Sequence, residues 1–320
     1  SLSRDLVGAQ TGADRQAGAA RAGGDHARPL RRTLSLTVWP TLPAPLGGIS
    51  TWAVLVALGC AAGAWLFAKT ATAIPGQKRR LLIAGAIVAA GLIGARLFHL
   101  ALDHSGPVSP EAALSPRGGF TWYGGLAGSA LAALALTRAA RVSAASLCDD
   151  LAPAAALGLA IGRIGCLAAG CCHGAPTLFP LALVFTSFHA AARPIGVPLH
   201  AVQVYEAAGC LLLAVALLHR RRRKRFDGEI ALMLVGAYGA LRFGLEFLRP
   251  GPRGAPPWGL SSWSQAVAGV SLGATLVVGA AIAWAKRDGG LAAPPSSSAA
   301  SDRARFIGDI SPRRPTGSDP

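Results

Sequence analysis

Apolar residues fall in long, nearly unbroken runs separated by short polar stretches that are mostly basic. The runs cover about Ser50–Ala73, Leu81–Leu102, Trp122–Thr137, Ser146–Leu167, Val202–His219, Ile230–Leu248 and Ser262–Ala285. Most approach the roughly 20 residues that a helix needs to cross a bilayer core. Trp122–Thr137 is the shortest, and its Gly124, Gly125, Gly128 and alanine string suit a helix packed tightly against its neighbours. The pattern predicts an all-α integral membrane protein, a bundle of about seven transmembrane helices. Residues 1–42, rich in Arg, Ala, Gly and Asp without a sustained apolar period, are expected to form a disordered tail. The transmembrane domain then occupies residues 43–287, and residues 288–320 form a second disordered tail.

Composition agrees. Of 320 residues, 52% are hydrophobic and 14% charged, with mean hydropathy +0.44, whereas soluble domains carry about 25% charged residues. The net charge of +16 does not point to nucleic acid, because the basic residues cluster between apolar runs rather than on a solvated face or arm. They set orientation instead. Counted from an outside start, the inner loops hold Lys69, Lys78, Arg79 and Arg80, then Arg138 and Arg141, then Arg220–Arg225, then Lys286 and Arg287. The outer loops hold only Arg117, Arg193, Arg249 and Arg253. The positive-inside rule therefore places the N-terminus outside and the C-terminus in the cytoplasm. Most arginines of the N-terminal tail lie further than about 15–20 residues from the first span, where charge matters little. The run "HRRRRKRF" reads as a topology anchor that also meets anionic lipid heads.

Polar residues inside the runs carry the chemistry. An arginine at the centre of a spanning helix costs about 2.5–3.5 kcal/mol on insertion scales, so Arg96, Arg163 and Arg242 each need a reason to be there. In "YGALRFGLEF", Tyr238, Arg242 and Glu246 are spaced four apart and share one helix face. Mutual neutralisation of Arg242 and Glu246 would account for a structural pair. A hydroxyl, a cation and a carboxylate on one face, with a second intramembrane arginine at Arg163, exceed that need. Arginine grips phosphate through two parallel hydrogen bonds, so a phospholipid head group is the natural ligand.

Arg163 opens "GRIGCLAAGCCHG", Gly162–Gly174, which contains three of the six cysteines. Cys166, Cys171, Cys172 and His173 do not fit the usual zinc spacing, and no second Cys/His pair follows at finger-like distance. A disulfide between the neighbours Cys171 and Cys172 is strained and rare. The cysteines read as lining for a lipid pocket, with no metal. Asp149 and Asp150 read as capping or solvating a helix start, and Arg96 and His99, one turn apart, as lining a cavity or pairing with a neighbouring helix.

Taken in order, "FTWYGGLAG", "GRIGCLAAGCCHG", "HAVQVYE", "YGALRFGLEF" and "SSWSQ" resemble the segments of the prolipoprotein diacylglyceryl transferases of bacterial inner membranes, over roughly Pro43 to Trp284. The resemblance implies a seven-span catalytic domain. Its expected partners are phosphatidylglycerol as membrane-lipid donor and the signal peptides of prolipoproteins, whose lipobox cysteine thiol receives the diacylglyceryl group. No cofactor is implied.

Matched position by position, the resemblance assigns catalytic roles to Arg163, Arg242, Tyr238 and Glu246, and places Gly165, Gly174, His200, Gln203, Gly124 and Gly125 in substrate binding, with Tyr205 and Glu206 in the same segment as His200. Three positions depart from the family pattern. Tyr123 stands where the family has a histidine before the Gly-Gly pair, and Cys166 and Cys171 stand where it has asparagine and glutamate. Forming a thioether requires deprotonating a thiol and stabilising charge on a leaving phosphate. Two arginines supply the second function. For the first, a tyrosine stays protonated at neutral pH and serves better as a donor, leaving His173, His200 or Glu246 as the base. A noncatalytic or repurposed relative that binds phospholipid or exports a small molecule is the alternative that these departures favour.

Overall fold

Each apolar run folds as one helix in the computed structural model, which describes residues 34–36, 50–102, 119–187, 190–192, 195–251, 259–260 and 262–287. In chain order the helices are α1 (Thr51–Thr70), α2 (Gln77–Leu102), α3 (Trp122–Ala140), α4 (Ala144–Ala168), α5 (Val202–Arg221), α6 (Glu229–Glu246) and α7 (Trp263–Arg287). Five of them, α1, α2, α4, α5 and α7, are long and apolar enough to cross a membrane. The others, α3 and α6, have 19 and 18 residues. At 1.5 Å per residue the shorter spans about 27 Å, close to the roughly 30 Å hydrocarbon core. The protein is a multi-pass helical membrane protein. Arg117, Arg193 and Arg253, used above to orient the chain, lie outside the described residues, as do the tails apart from 34–36.

Burial is arranged for a lipid surround. Leu82, Leu131, Leu212 and Val270 are exposed on the outside, at 74%, 69%, 71% and 73%, while Asp149, Asp150, Gln203, Glu206, Arg242, Glu246 and Gln265 are buried. Apolar lipid supplies no hydrophobic drive between helices, so close approach through small residues does the packing. On α3, a Cβ at Gly124 would stand 2.4 Å from the Gly94 carbonyl oxygen of α2. The small-residue stripe of α3 therefore seats this helix on α2, as α1 seats on α4 and α7 on α6.

Two buried carboxylates lock the end of the bundle that carries the arginine run. Asp149 Oδ1 accepts from the backbone N–H groups of Ile230 (2.9 Å) and Ala231 (3.0 Å), and its Oδ2 accepts from Gly228 (2.9 Å) and from Lys224 Nζ (3.3 Å). It thus caps α6 from a neighbouring helix, satisfying N-terminal donors that the helix cannot satisfy itself. Asp150 Oδ2 accepts from the Thr72 and Ala73 N–H groups, each at 2.8 Å, and its Oδ1 pairs with Arg221 at 2.5 Å. The expected cap therefore exists, but it serves α6 and the α1–α2 turn rather than a solvated helix start.

At the opposite end, the α4–α5 connection contains a small sheet absent from the sequence expectation. β2 (Leu183–Phe185) pairs in parallel with β1 (Leu34–Leu36), Leu34 opposite Leu183, and antiparallel with β3 (Pro198–Leu199), Leu183 opposite Leu199. β1 lies within the stretch expected to be a disordered tail. Leu183, Phe185, Ala190, Ala192, Leu199 and Ala201 form a buried cluster under this sheet, which holds the loop over the ends of α4 and α5.

Candidate functional site

Two arginines meet two carboxylates at the sheet-bearing end. Arg163, near the end of α4, pairs with Glu206 of α5 (3.0 Å), and Tyr238 of α6 donates its hydroxyl to the same Glu206 oxygen (2.9 Å). One turn along α6, Arg242 pairs with Glu246 at 2.8 Å, as their spacing predicts. Arg249 approaches Glu246 at 3.7 Å, and Ser262, just before α7, donates to it at 2.7 Å. The carboxylates are nearly inaccessible, at 2% for Glu206 and 1% for Glu246, while Arg163 keeps 20% of its side chain exposed. Arg242 Nη1 is buried without a hydrogen-bond partner. An unpartnered buried guanidinium donor is costly unless a ligand completes it. Among the described residues, three guanidiniums and two carboxylates gather here.

Tyr123, at the start of α3, lines a cavity of about 250 Å³ together with Glu246, Arg249, Ser262, Trp263 and Ser264. The sequence-predicted Tyr123 and Glu246 therefore share one space. A second, mostly apolar cavity of about 410 Å³ lies between α4 and α5, bounded by residues such as Ile161, Ile164 and Leu211 and reached by Gln203.

The loop after α4 supplies the remaining candidates. His173 Nδ1 lies 2.9 Å from the Gly174 carbonyl oxygen. A carbonyl only accepts, so Nδ1 carries the proton and Nε2 is left as the basic nitrogen. Gly174 N–H donates to the His200 carbonyl (2.9 Å), and the next residue, Ala175, donates to Leu248 (2.8 Å). A Cβ at Gly174 would stand 2.4 Å from His200 Cβ and 2.7 Å from the Leu248 carbonyl oxygen, so only glycine permits this junction of three segments. His200 Nδ1 is buried without a partner, and its ring meets Tyr205 edge-on at 6.5 Å. Gln203 donates to the Cys171 carbonyl at 2.6 Å, tying the loop to α5. Cys166, Cys171 and Cys172 bring their sulfurs within 4.8 Å of one another.

Some predicted residues stand apart. Gly124 and Gly125 face α2, and Gly165 faces Trp52 and Leu55 of α1, all as packing contacts. Arg96 donates to the Gly119 carbonyl at 3.0 Å and lies 5.9 Å from the Phe120 ring centroid, pairing with the chain that enters α3. The sequence placed Arg249 only among the outer-loop arginines and Ser262 only within "SSWSQ", giving neither a site role, and it did not point to Glu206 as the counterion of Arg163. A buried carboxylate one turn after Gln203 in an apolar helix was the available signal.

The described residues define a class: multi-pass helical membrane proteins with buried arginine–carboxylate pairs at one end of the bundle, next to a cavity lined by Glu246 and Arg249. Residues 44–285 match the family described as prolipoprotein diacylglyceryl transferase, and the chain belongs to that family. It is 33% identical over 165 residues to a phosphatidylglycerol–prolipoprotein diacylglyceryl transferase of Clostridium tetani, covering 51% of this chain and 66% of that protein. It is 31% identical over 221 residues to transferase 2 of the same description from Clostridium perfringens, covering 68% of this chain and 84% of that one. A relative of the same description from Dehalococcoides mccartyi is 29% identical over 205 residues, covering 63% and 78%.

Proposed function

We propose that the protein transfers the diacylglyceryl group of phosphatidylglycerol to the lipobox cysteine thiol of prolipoproteins, in a bacterial inner membrane, with its N-terminus outside and C-terminus in the cytoplasm. The observation that carries this reading is the pair Arg163 and Arg242, each drawn to a carboxylate, with Arg249 lining the cavity beside Glu246.

The substrate thiolate attacks the glycerol carbon that bears the phosphate. A C–S bond forms, the C–O bond breaks, and glycerol phosphate leaves with the electron pair. Arg163 and Arg242 hold the phosphate oxygens through the charge that accumulates there, aimed in advance by Glu206 and Glu246. Tyr238, bonded to Glu206, keeps that carboxylate against Arg163. Tyr123 donates a hydrogen bond into the cavity that it shares with Glu246. His173 takes the thiol proton on Nε2, the nitrogen that its bond to Gly174 leaves basic. Gly174, His200, Gln203 and Cys171 shape the loop that presents it. The mostly apolar cavity between α4 and α5 suits lipid chains; its lining includes Gln203 but not Cys166, Cys171 or Cys172, contrary to the expectation that the cysteines line a lipid pocket.

Expression in cells depleted of their own transferase tests the reading. Mass spectrometry should then find diacylglyceryl-modified lipobox cysteine. Stable insertion with only unmodified precursor would favour the noncatalytic alternative.

A further inference from the structure

The three thiol groups of Cys166, Cys171 and Cys172 take no part in this chemistry; only the Cys171 carbonyl is used, in holding the loop. Their cluster is assembled by the way α4 ends. Gly170 (φ 68°) and Cys172 (φ 59°) both adopt left-handed backbone, and Cys171 N–H donates to the Cys166 carbonyl at 3.0 Å. The chain therefore folds back on the last turn of α4. Cys171 and Cys172, both half-buried, come down on the buried Cys166, and all three sulfurs fall within 4.8 Å. Left-handed backbone is uncommon for a residue with a Cβ, and here it turns Cys172 toward the other two.

We propose that Cys166, Cys171 and Cys172 form a three-sulfur binding site for a soft monovalent metal ion, Cu(I) being the best match. The spacing argument against zinc is retained and sharpened, since structural zinc takes four protein ligands and this group offers three. Thiolate donors select Cu(I) among the softer ions, and a filled-shell Cu(I) accepts three sulfurs in a plane. A metal–sulfur bond of about 2.3 Å puts three planar sulfurs about 4.0 Å apart, so the cluster closes by a contraction of less than about 1 Å. The two loop cysteines can supply that movement without disturbing α4.

Positive charge lies close to the cluster. Cu(I) displaces three thiol protons to solvent, and the resulting trithiolate unit carries two negative charges. The Arg249 and Arg163 guanidiniums act electrostatically on Cys172. Each already faces a carboxylate, so they would offset only part of the charge of the loaded site. Loading would reach the lipid site by two short routes: Arg163 is one helical turn before Cys166, and Gln203 holds the Cys171 carbonyl.

The test uses the full chain in detergent micelles under argon with reductant, titrated with Cu(I) against bicinchoninate as a coloured competitor. The wild type should withdraw one Cu(I) per chain, and X-ray absorption should find a first shell of sulfur alone. Cys171→Ser and Cys172→Ser should each weaken uptake by more than about a hundredfold. A chain with Cys60, Cys148 and Cys210 all changed to serine should bind as the wild type does. No withdrawal by the wild type overturns the site, as does uptake that survives Cys172→Ser or is lost in the Cys60, Cys148 and Cys210 triple variant. If Cys172→Ser does not fold, the wild-type spectrum decides, because nitrogen or oxygen in the first shell overturns the proposal.

Discussion

Replacing Asp149 with alanine should destabilise the protein far more than a change at a helix end normally does. Asp149 is 3% exposed and accepts from the N–H groups of Gly228, Ile230 and Ala231 and from Lys224. Loss of an N-cap side chain costs about 0.5–2 kcal/mol. Each buried donor left unmatched adds roughly 1–3 kcal/mol, which water admitted at the helix end reduces. The Lys224 contribution is small, because that side chain is 32% exposed, keeps Asp227 at 2.7 Å, and is screened by solvent. The expected total is about 3–5 kcal/mol. Asp149→Asn keeps one acceptor for the Ile230 and Ala231 donors and should cost about 1–2 kcal/mol. Unfolding in micelles can be followed by maleimide labelling of Cys210, which is fully buried on α5. Because the arginine pairs lie at the other end of the bundle, transfer per folded molecule should persist. An alanine variant within about 1 kcal/mol of wild type, or equal losses for Asn and Ala, would refute the cross-helix cap.

Arg163→Lys and Arg242→Lys keep the charge but lose the bidentate fork, so each should cut lipid transfer by about a hundredfold while insertion persists. Near-normal transfer in both would eliminate the phosphate clamp. His173→Ala should abolish transfer to a lipobox peptide, whereas Tyr123→Phe should cost one hydrogen bond, about tenfold at most. A rate insensitive to His173→Ala would return the base to His200 or Glu246. Gly174→Ala puts a Cβ 2.7 Å from a backbone oxygen and should destabilise by about 1–3 kcal/mol, read as a lower unfolding midpoint. Reporter fusions after Asp288 should show cytoplasmic activity, and periplasmic activity there would reverse the orientation.

The helices were legible because a spanning helix must be apolar over its whole length, and the run Ser146–Leu167 became Ala144–Ala168 with little change. The Arg242–Glu246 pair was legible because both residues sit on one helix. Arg163 and Glu206 were not readable as partners, since their meeting depends on how α4 and α5 cross. β2 and β3, with three and two residues, are too short to carry a period. The cysteine cluster depended on left-handed backbone at Gly170 and Cys172, which spacing alone does not reveal. Asp149 and Asp150 looked like solvated caps because their donors belong to distant segments.

The staple from Ala175 to Leu248 and the bond from Ser262 to Glu246 also impose an order on biogenesis. Translation delivers α1 to α4 first, and α1 can seat on α4 as soon as both are in the bilayer. Arg163 must then wait in the membrane without its counterion until α5 brings Glu206. Arg242 and Glu246 arrive together, but the loop that closes over them cannot be pinned until the residues beyond α6 emerge. The end that carries Arg163 and Arg242 is therefore the last part of the molecule to be completed. A ribosome stalled before α7 would leave an inserted bundle without the Ser262 bond to Glu246.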